Sequence, residues 1–434
     1  MTKKHIYIVL SLLIFLNGII TAQQTPAKKQ SEPIIILGAT AHIGNGNIIE
    51  NSMIIFDDGK LTTVADASSL TPPKGKLINA AGKHVYPGFI IPNSTLGLGE
   101  IGAVRATVDQ DEIGDMIPHI SSLKAYNAES KVIESMRPNG VLLAQITPRG
   151  GTLSGTSSIV QLDAWNWEDA AVKVGDGIHL NWPNTFRQGR WWLGEPRGFS
   201  PNKDYTKQVN KIKTFILEAK AYHAGNQENR HLPYEATKGL FNGKQKLYVH
   251  ANDKQQINDA IIIANEMGVR NIVLVGGYQA DKTIALLKKY NVPVLVRRTH
   301  SLPFINDHDY DLSYKLPKLL MDNGILVGLE NSGQMERMNS RNLPFYAGQV
   351  VGQGLDKEKA LQLISSNTAK ILGIDDNYGT LEVGKSATLF ISEGDALDMR
   401  TNNLTHAFID GRNISLETHQ TELYNRYMGK YSEN

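Results

Sequence analysis

The 434-residue chain carries 45 Lys and Arg residues against 43 Asp and Glu residues, a formal net charge of +2 that argues against a nucleic-acid or anionic-membrane partner. It contains no cysteine, which excludes both a disulfide framework and a lipid-modified cysteine. The length exceeds what one small core needs and predicts a large barrel, alone or with a smaller second unit.

The first residues have the order of a secretory signal. Two lysines precede an apolar run from Ile6 to Ile20, and the small-residue site Thr21-Ala22-Gln23 follows. The run has about 15 residues, fewer than the roughly 20 that span a bilayer, so we expect a signal peptide over 1–22, cleavage after Ala22 and export to the periplasm or beyond. An uncleaved anchor is the alternative. Residues 23–32 are polar and predict a flexible lead-in, and no transmembrane segment is expected after signal removal.

Both ends of the chain are patterned as β-structure. Met53 to Phe56 and Leu61 to Val64 flank the turn sequence Asp57-Asp58-Gly59-Lys60, which predicts a hairpin. Near the other end, Ala387 to Ser392 is a strand candidate, and Asp410-Gly411 is a second turn. We therefore predict a small composite β-sandwich domain from residues 33–85 and 377–425, with a barrel over 86–376 inserted between them.

The middle of the chain alternates buried strands with helices. The strand candidates are Val141 to Ile146, Ser158 to Leu162, Leu247 to His250, Ile272 to Val275, Val292 to Val296 and Ile325 to Leu329. Helical patterns cover Asp253 to Gly268 and Asp281 to Tyr290 between the later strands. This rhythm of parallel βα units predicts an α/β fold, a TIM-like (β/α)8 barrel; a doubly wound open sheet is the alternative.

Three segments resemble the amidohydrolase superfamily, and most closely its imidazolonepropionase-like group. The segment Pro87-Gly88-Phe89-Ile90-Ile91-Pro92-Asn93-Ser94-Thr95-Leu96 is similar to the family's first strand, Pro-Gly-Phe-Ile-Asp-x-His-x-His-Leu. Asn367-Thr368-Ala369 to Leu372-Gly373, followed by Gly379-Thr380-Leu381-Glu382, resembles its Asn-Pro-Ala helix and the return towards the β-domain. Val249-His250-Ala251 resembles the fifth strand, which supplies a metal ligand.

The resemblance implies a metal-dependent hydrolase of amide and cyclic-amide C–N bonds. Such a barrel holds one or two zinc-like ions through the His pair, a fifth-strand His, a sixth-strand His and an eighth-strand Asp, and the metal makes hydroxide from water near neutral pH. In this chain, Asn93 and Thr95 stand at the His pair, Gly276 at the sixth-strand His and Asn331 at the Asp, so that only His250 remains. These departures argue against the usual metal-hydroxide mechanism, because neutral amide and hydroxyl oxygens are poor zinc ligands.

The sequence nevertheless names candidate site residues at the expected strand ends. If the chain is active, His250, Glu330 and Asn331 are the catalytic candidates. No metal or other cofactor is expected; the alternative is a single relocated divalent ion such as zinc, bound by a set drawn from His179, His250, His300 and Glu330.

Five further residues are predicted to contact substrate. They are Asn93, Thr95, Arg297, Arg298 and His300. The two arginines close the seventh strand, where they serve either as a clamp for a carboxylate or phosphate or as ion-pair partners for nearby acids.

Two other segments have a structural and a functional interpretation. The small-residue loop Gly150 to Ser158 is a candidate anion loop, but a tight strand connection is the preferred interpretation. All five tryptophans lie between Trp165 and Trp192, and we expect a lid that packs its own small core more than a contact with another protein.

Three functions are therefore open. The first is hydrolysis of non-peptide C–N bonds with a rearranged site. The second is a catalytically inactive pseudoenzyme that binds a small anionic ligand in the barrel mouth. The third is a homo- or hetero-oligomer in which the chain is the partner of an intact amidohydrolase.

Overall fold

The computed structural model describes residues 25–196, 198–225, 229–303 and 308–432. The predicted signal peptide over 1–22 and its cleavage point lie outside the described residues. Residues 25–33 run without helix or strand, and the backbone N–H of Ala27 donates to Asp163 Oδ2 at 2.9 Å. Among the helices of the described ranges, none combines the length and the apolar character that crossing a bilayer requires.

The chain begins with strands of a twisted sheet. These strands are β1 (Ile34–His42), β2 (Ile48–Asp57), β3 (Lys60–Asp66), β4 (Lys76–Asn79) and β5 (His84–Pro87). Strands β2 and β3 pair antiparallel around Asp58 and Gly59, whose φ angles of 45° and 76° are those of a two-residue hairpin turn. The hairpin predicted at this place is confirmed.

A second sheet of eight strands follows and curls into a barrel. Its strands are β6 (Phe89–Ser94), β7 (Val141–Ile146), β8 (Leu153–Gln161) and β9 (Ala171–Asn181), then, after the short hairpin β10 (Phe186–Gln188) and β11 (Phe199–Pro201), β12 (Lys246–Ala251), β13 (Ile272–Gly276), β14 (Val294–Arg297) and β15 (Val327–Glu330). The order around the barrel is the order in the chain, and β15 packs beside β6. The predicted TIM-like barrel is confirmed as a nearly closed one.

One barrel strand runs against the others. Strand β8 pairs antiparallel with both β7 and β9, whereas the remaining neighbours in the barrel pair parallel. The cause is the connection: six residues, 147–152, join β7 to β8, and a parallel crossover needs about a dozen or more. The Gly150 loop is thus a strand connection, as preferred from the sequence.

Helices surround the barrel and close its lower end. In chain order they are α1 (Lys131–Glu134), α2 (Trp167–Ala170), α3 (Tyr205–Ala224), α4 (Leu232–Ala236), α5 (Lys238–Asn242), α6 (Lys254–Glu266), α7 (Ile284–Lys289), α8 (Leu312–Asp322), α9 (Glu336–Asn339), α10 (Leu343–Gly352), α11 (Lys357–Gln362) and α12 (Ser366–Leu372). Helix α6 starts with a capping box between Asp253 and Gln256 and matches the predicted helix. Buried residues of α12 pack against the inward side chains of the barrel strands.

The end of the chain returns to the first sheet. Strands β16 (Leu389–Ser392), β17 (Leu404–Ile409) and β18 (Arg412–Asn413) precede the final helix α13 (His419–Ser432), and β16 pairs antiparallel with β5. The sheet therefore combines strands from both ends of the chain around a shared apolar cluster that includes Ile36, Phe56 and Leu389. The predicted domain boundaries and the description as a sandwich stay predictions.

Candidate functional site at the carboxyl end of the barrel strands

The barrel interior changes from apolar to polar along the strands. Side chains of a strand alternate between faces, so each strand sends every second residue inward. Toward the amino ends these residues form an apolar cluster that includes Ile90, Leu143, Ile159, Val275 and Leu295. Toward the carboxyl ends they are polar: Asn93, Gln145, His179, His250 and Glu330. This polar layer is the candidate site.

A buried carboxylate lies at the base of the polar layer. Asp176 accepts hydrogen bonds from Gln145 Nε2 at 2.9 Å, Ser157 Oγ at 2.7 Å and Tyr248 Oη at 2.7 Å. Burial, then the charge of Asp176, raises the pKa of Tyr248 well above its ordinary value. The tyrosine therefore stays a neutral donor, and three donors compensate the desolvation of the carboxylate.

Two histidines from neighbouring strands form a pair above this carboxylate. His179 Nδ1 lies 2.9 Å from His250 Nε2, and the His179 ring stacks on Tyr248 at a centroid distance of 4.6 Å. Burial, followed by the positive charge of Arg149, lowers the pKa of His250 to about 3; burial, then His250 and Arg149, lowers the pKa of His179 as well. Both rings are neutral near pH 7, and the buried His179 Nε2 has no hydrogen-bond partner among the described residues.

Arg149 follows the second barrel strand, β7, and lies at the barrel mouth beside the end of the first strand, β6. Its Nη1 donates to Asn93 Oδ1 and its Nη2 to the Asn93 carbonyl oxygen, both at 2.9 Å. Nη2 also reaches both carboxylate oxygens of Glu336, at 3.2 and 3.3 Å. Thr95 Oγ1 donates to the same Glu336 carboxylate. Both residues at the expected His-x-His positions are therefore bound to an arginine–glutamate pair.

Glu330, rather than Asn331, turns into the barrel at the end of the eighth strand. It is fully buried, accepts from Asn93 Nδ2 at 3.2 Å and from Ser332 Oγ at 2.9 Å, and burial raises its pKa against the opposing effect of Ser332, Arg297 and Arg149. Asn331 donates to the Glu336 backbone oxygen at 2.9 Å instead. Alternation along the strand explains the one-residue difference from the expected position.

The residues at the implied ligand positions do not fit the superfamily's metal centre as they are arranged. Asn93 Oδ1 and Thr95 Oγ1 are bound to Arg149 and Glu336, and Gly276 offers no side chain. A Cβ at Gly276 would lie 2.6 Å from Asn252 Oδ1, so a histidine there would displace this amide. Within residues 25–432, gaps excepted, no group of three or more His, Asp or Glu side chains is placed to hold a metal ion.

The predicted arginine clamp lines a cavity beside the polar layer. This arginine cavity has a volume of about 230 Å³ and is lined by residues that include Asn252, Tyr278, Arg297, Arg298 and Ser313. Arg297 Nε donates to the Ser332 carbonyl oxygen at 3.2 Å, while Arg298 Nε is buried without a hydrogen-bond partner among the described residues. No described carboxylate forms an ion pair with either guanidinium.

A wider groove adjoins the arginine cavity. Its volume is about 690 Å³, it shares Asn252 and Tyr278 with the smaller cavity, and Phe186 and Phe199 of the β10–β11 hairpin lie in its wall. His300 is exposed, with its ring 6.4 Å from that of Tyr314, and does not line either cavity. Its role in substrate binding stays a prediction.

Sequence reasoning missed Arg149, Glu336 and Asp176. The signal for Arg149 was its place three residues after the end of a predicted strand and just before Gly150-Gly151, because residues that follow a strand face the mouth of a barrel. Nothing local marks Glu336, and Asp176 was not distinguishable from a surface acid by pattern.

Comparison with known proteins agrees with the geometry of the barrel. The pattern of the amidohydrolase family matches residues 203–414. An amidohydrolase from Thermotoga maritima MSB8 superimposes with a TM-score of 0.77 at 22% identity, over 88% of this chain and 99% of that one. The chain is a member of the amidohydrolase superfamily.

The chain is also similar to an adenine deaminase and to a prolidase. An adenine deaminase of Clostridium botulinum (strain Loch Maree / Type A3) is 21% identical over 416 residues, which are 93% of this chain and 60% of the deaminase. The chain thus spans about 60% of the length of this curated relative. A prolidase in complex with N-methylphosphonate-L-proline has a TM-score of 0.54 at 13% identity, over 88% of this chain and 99% of that one.

Proposed function

We propose that this amidohydrolase-superfamily protein binds a small anionic molecule with an amide-type C–N bond and does not hydrolyse it through metal-bound hydroxide. The observation that carries the proposal is the arginine cavity, where neither Arg297 nor Arg298 forms an ion pair with a described carboxylate and the buried Nε of Arg298 has no hydrogen-bond partner among the described residues. Both side chains are half-buried, and a guanidinium partly withdrawn from water without an ion pair favours a carboxylate or phosphate group of a ligand, which offers it paired hydrogen bonds.

The size of the adjoining groove supports a ligand larger than a simple ion. The arginine cavity of about 230 Å³ accommodates an acidic group, and the groove of about 690 Å³ accommodates the rest of the molecule against Phe186, Phe199 and Tyr278. Cavities of this size class bind small molecules. Superfamily membership suggests the ligand class: hydrolysis of C–N bonds is the chemistry it implies, and the similar prolidase was solved with N-methylphosphonate-L-proline, an amino acid substituted at its nitrogen.

Calorimetric titration with N-acetyl amino acids tests this proposal. N-acetyl-L-proline and N-acetylglycine are the probes, with acetamide as the uncharged comparison. Arg298→Met should weaken binding by about 10- to 100-fold, the usual weight of one charge-assisted hydrogen bond. The matched control is Arg400→Met, which removes an exposed arginine paired with Asp398. Equal affinity for acetamide, or equal losses in both variants, would contradict an anion site in the arginine cavity.

Hydrolysis of C–N bonds is the second candidate, favoured by membership in the superfamily. The available base is His250, and its pKa of about 3 makes it a weak one near pH 7, where a base with a pKa close to 7 works best. Product formation from the same N-acetyl amino acids and from cyclic amides decides between binding and turnover. A rate that persists in the presence of a chelator and disappears in His250→Ala or Glu330→Gln, with binding retained, would establish metal-independent hydrolysis.

An oligomer with a second amidohydrolase-type chain is a further proposal, supported by the exposed hairpin segment. Of the five tryptophans expected to pack as a lid, Trp182 is buried, whereas Trp165, Trp191 and Trp192 are 62%, 58% and 64% exposed. Phe186 and Phe199 of the same segment are each 54% exposed. Exposed clusters of large apolar side chains are typical of interfaces. Light scattering of wild type and Trp192→Ser is the test, and an unchanged monomer in both contradicts self-association.

We also propose export. The signal-like order of residues 1–22 supports it. Fractionation of the native cell and N-terminal sequencing test it, and a chain in the cytoplasm that retains Lys3 and Lys4 would contradict it.

A further inference from the structure

At the mouth of the barrel, side chains rather than backbone hydrogen bonds join the last strand, β15, to the first strand, β6. Among the described residues, no backbone pairing joins β15 to β6, although the two strands are neighbours. The amide of Asn93 donates across this seam to Glu330, and the seam continues through Arg149 and Glu336 to Thr95. One connected polar cluster thus ties the first strand, the last strand and helix α9 together.

A single cation stands at the centre of this cluster. The guanidinium of Arg149 binds both oxygens of Asn93 and both carboxylate oxygens of Glu336. Its charge is also close enough to influence the protonation of Glu330, His179 and His250. One carboxylate therefore contacts the guanidinium, and a second carboxylate and two neutral imidazoles lie within reach of its charge. These are ligand types that bind zinc or manganese, but around the guanidinium the described side chains do not converge as a metal site.

The cluster would be short of positive charge without Arg149. Glu330 and Glu336 contribute two carboxylates, while Arg297 supplies one nearby positive charge. A buried acid without compensation is destabilising, so removal of the guanidinium leaves a place that favours another cation. A divalent ion is the natural replacement because it also bridges ligands from different strands.

We propose that Arg149 is a built-in cation that stands in the place of the superfamily's metal: its guanidinium bridges the first strand and helix α9 at the barrel seam and keeps divalent ions out. The metal site has been exchanged for a salt-bridged arginine, rather than simply lost. This inference concerns the polar cluster and does not depend on the ligand of the arginine cavity.

Zinc uptake by the full chain is the test. Wild type and the variants are dialysed against zinc chloride, freed of excess metal, and measured by elemental analysis, and the melting temperature is recorded with and without zinc. Wild type should take up no stoichiometric zinc, and its melting temperature should not respond. Arg149→Ala should melt lower than wild type, bind about one zinc ion per chain and regain several degrees when zinc is added.

Two controls make this gain specific. Arg337→Ala removes a neighbouring arginine that donates to Gln110 Oε1 at 2.7 Å, outside the cluster, and should gain no zinc. Arg149→Ala combined with Glu336→Gln removes a proposed ligand and should abolish the gain. Should Arg149→Ala fail to fold, Arg149→Gln, which retains an N–H donor for Asn93, replaces it.

The contrary outcomes are equally definite. Stoichiometric zinc in wild type would overturn the proposal, because the guanidinium would then coexist with the metal. A folded Arg149→Ala or Arg149→Gln without zinc uptake would overturn it, and so would insolubility of both variants with and without zinc. Zinc uptake by Arg337→Ala equal to that of Arg149→Ala would also overturn it, since the gain would not belong to this position.

Discussion

The free energy of unfolding should decrease as the pH is lowered, because His250 is buried as a neutral ring. The size of this decrease follows from the difference between its folded and unfolded pKa values. The ring is neutral in the folded chain, where burial and Arg149 lower its pKa from 6.5 to about 3. In the unfolded chain its pKa returns to the ordinary value, so below pH 6.5 the unfolded state binds a proton that the folded state does not. The contribution of His250 is therefore complete above about pH 6.5 and is lost as the pH falls towards 3.

The magnitude comes from the linkage relation. Each pH unit below the unfolded pKa costs about 1.4 kcal/mol until the folded ring also titrates. At about pH 5, the pH is about 1.5 units below the pKa of the unfolded ring. Between about pH 7.5 and about pH 5, the free energy of unfolding should therefore fall by about 2 kcal/mol through His250 alone.

Urea denaturation of wild type and His250→Gln at several pH values measures this term. Glutamine does not titrate, so the variant should lack this part of the pH dependence. Groups remote from the pair cancel in the difference, whereas His179, whose pKa His250 also lowers, changes with the variant and adds to the same difference. His419→Gln is the control, since its side chain is 53% exposed. Identical pH dependence in wild type and His250→Gln would refute the reasoning, because the histidine would then titrate alike in both states.

Two further substitutions test the interior of the barrel. Tyr248→Phe removes one of three hydrogen bonds to Asp176 and should lower the free energy of unfolding by about 1.5–3 kcal/mol. Tyr424→Phe on the exposed last helix is the control and should change it by less than about 0.5 kcal/mol. Equal effects of the two variants in urea denaturation would contradict a buried carboxylate that these hydrogen bonds stabilise. Gly276→Ala should lower the free energy of unfolding by about 1–3 kcal/mol, because φ is 91° and the new Cβ would lie 2.6 Å from Asn252 Oδ1. Gly429→Ala is the control, since no neighbouring atom lies within 4 Å of its Cβ, and it should not lower the stability. An unchanged stability of Gly276→Ala would show that the backbone relaxes.

The sequence predicted the local elements well because their signals are local. The turn at Asp58-Gly59, the strand that ends at Ile146 and the strand that contains His250 follow from residue type and spacing over fewer than ten residues. The resemblance carried by Pro87-Gly88-Phe89 placed the first barrel strand at Phe89–Ser94. These features require no knowledge of distant contacts.

The site was less predictable because its contacts join distant parts of the chain. Arg149 binds Asn93, 56 residues away, and Glu336, 187 residues away, and neither separation leaves a pattern in the sequence. The inward direction of Glu330 depends on strand alternation, where an error of one residue exchanges it with Asn331. The residue types at the implied ligand positions could be read directly, but the contacts that Arg149 and Glu336 make with Asn93 and Thr95 could not.

The antiparallel course of β8 explains the position of Arg149 at the barrel mouth. In a parallel barrel, the segment after the second strand leads into a helix on the outside. Here the short connection 147–152 turns back at once into β8, with φ angles of 81° and 60° at Gly150 and Gly151, and this keeps Arg149 over the mouth beside Asn93. A change of ligand residues alone would consequently not rebuild a metal centre. Histidines at positions 93 and 95 would face a fixed guanidinium, and like charge repels a divalent ion, so the loop that carries Arg149 would have to change first.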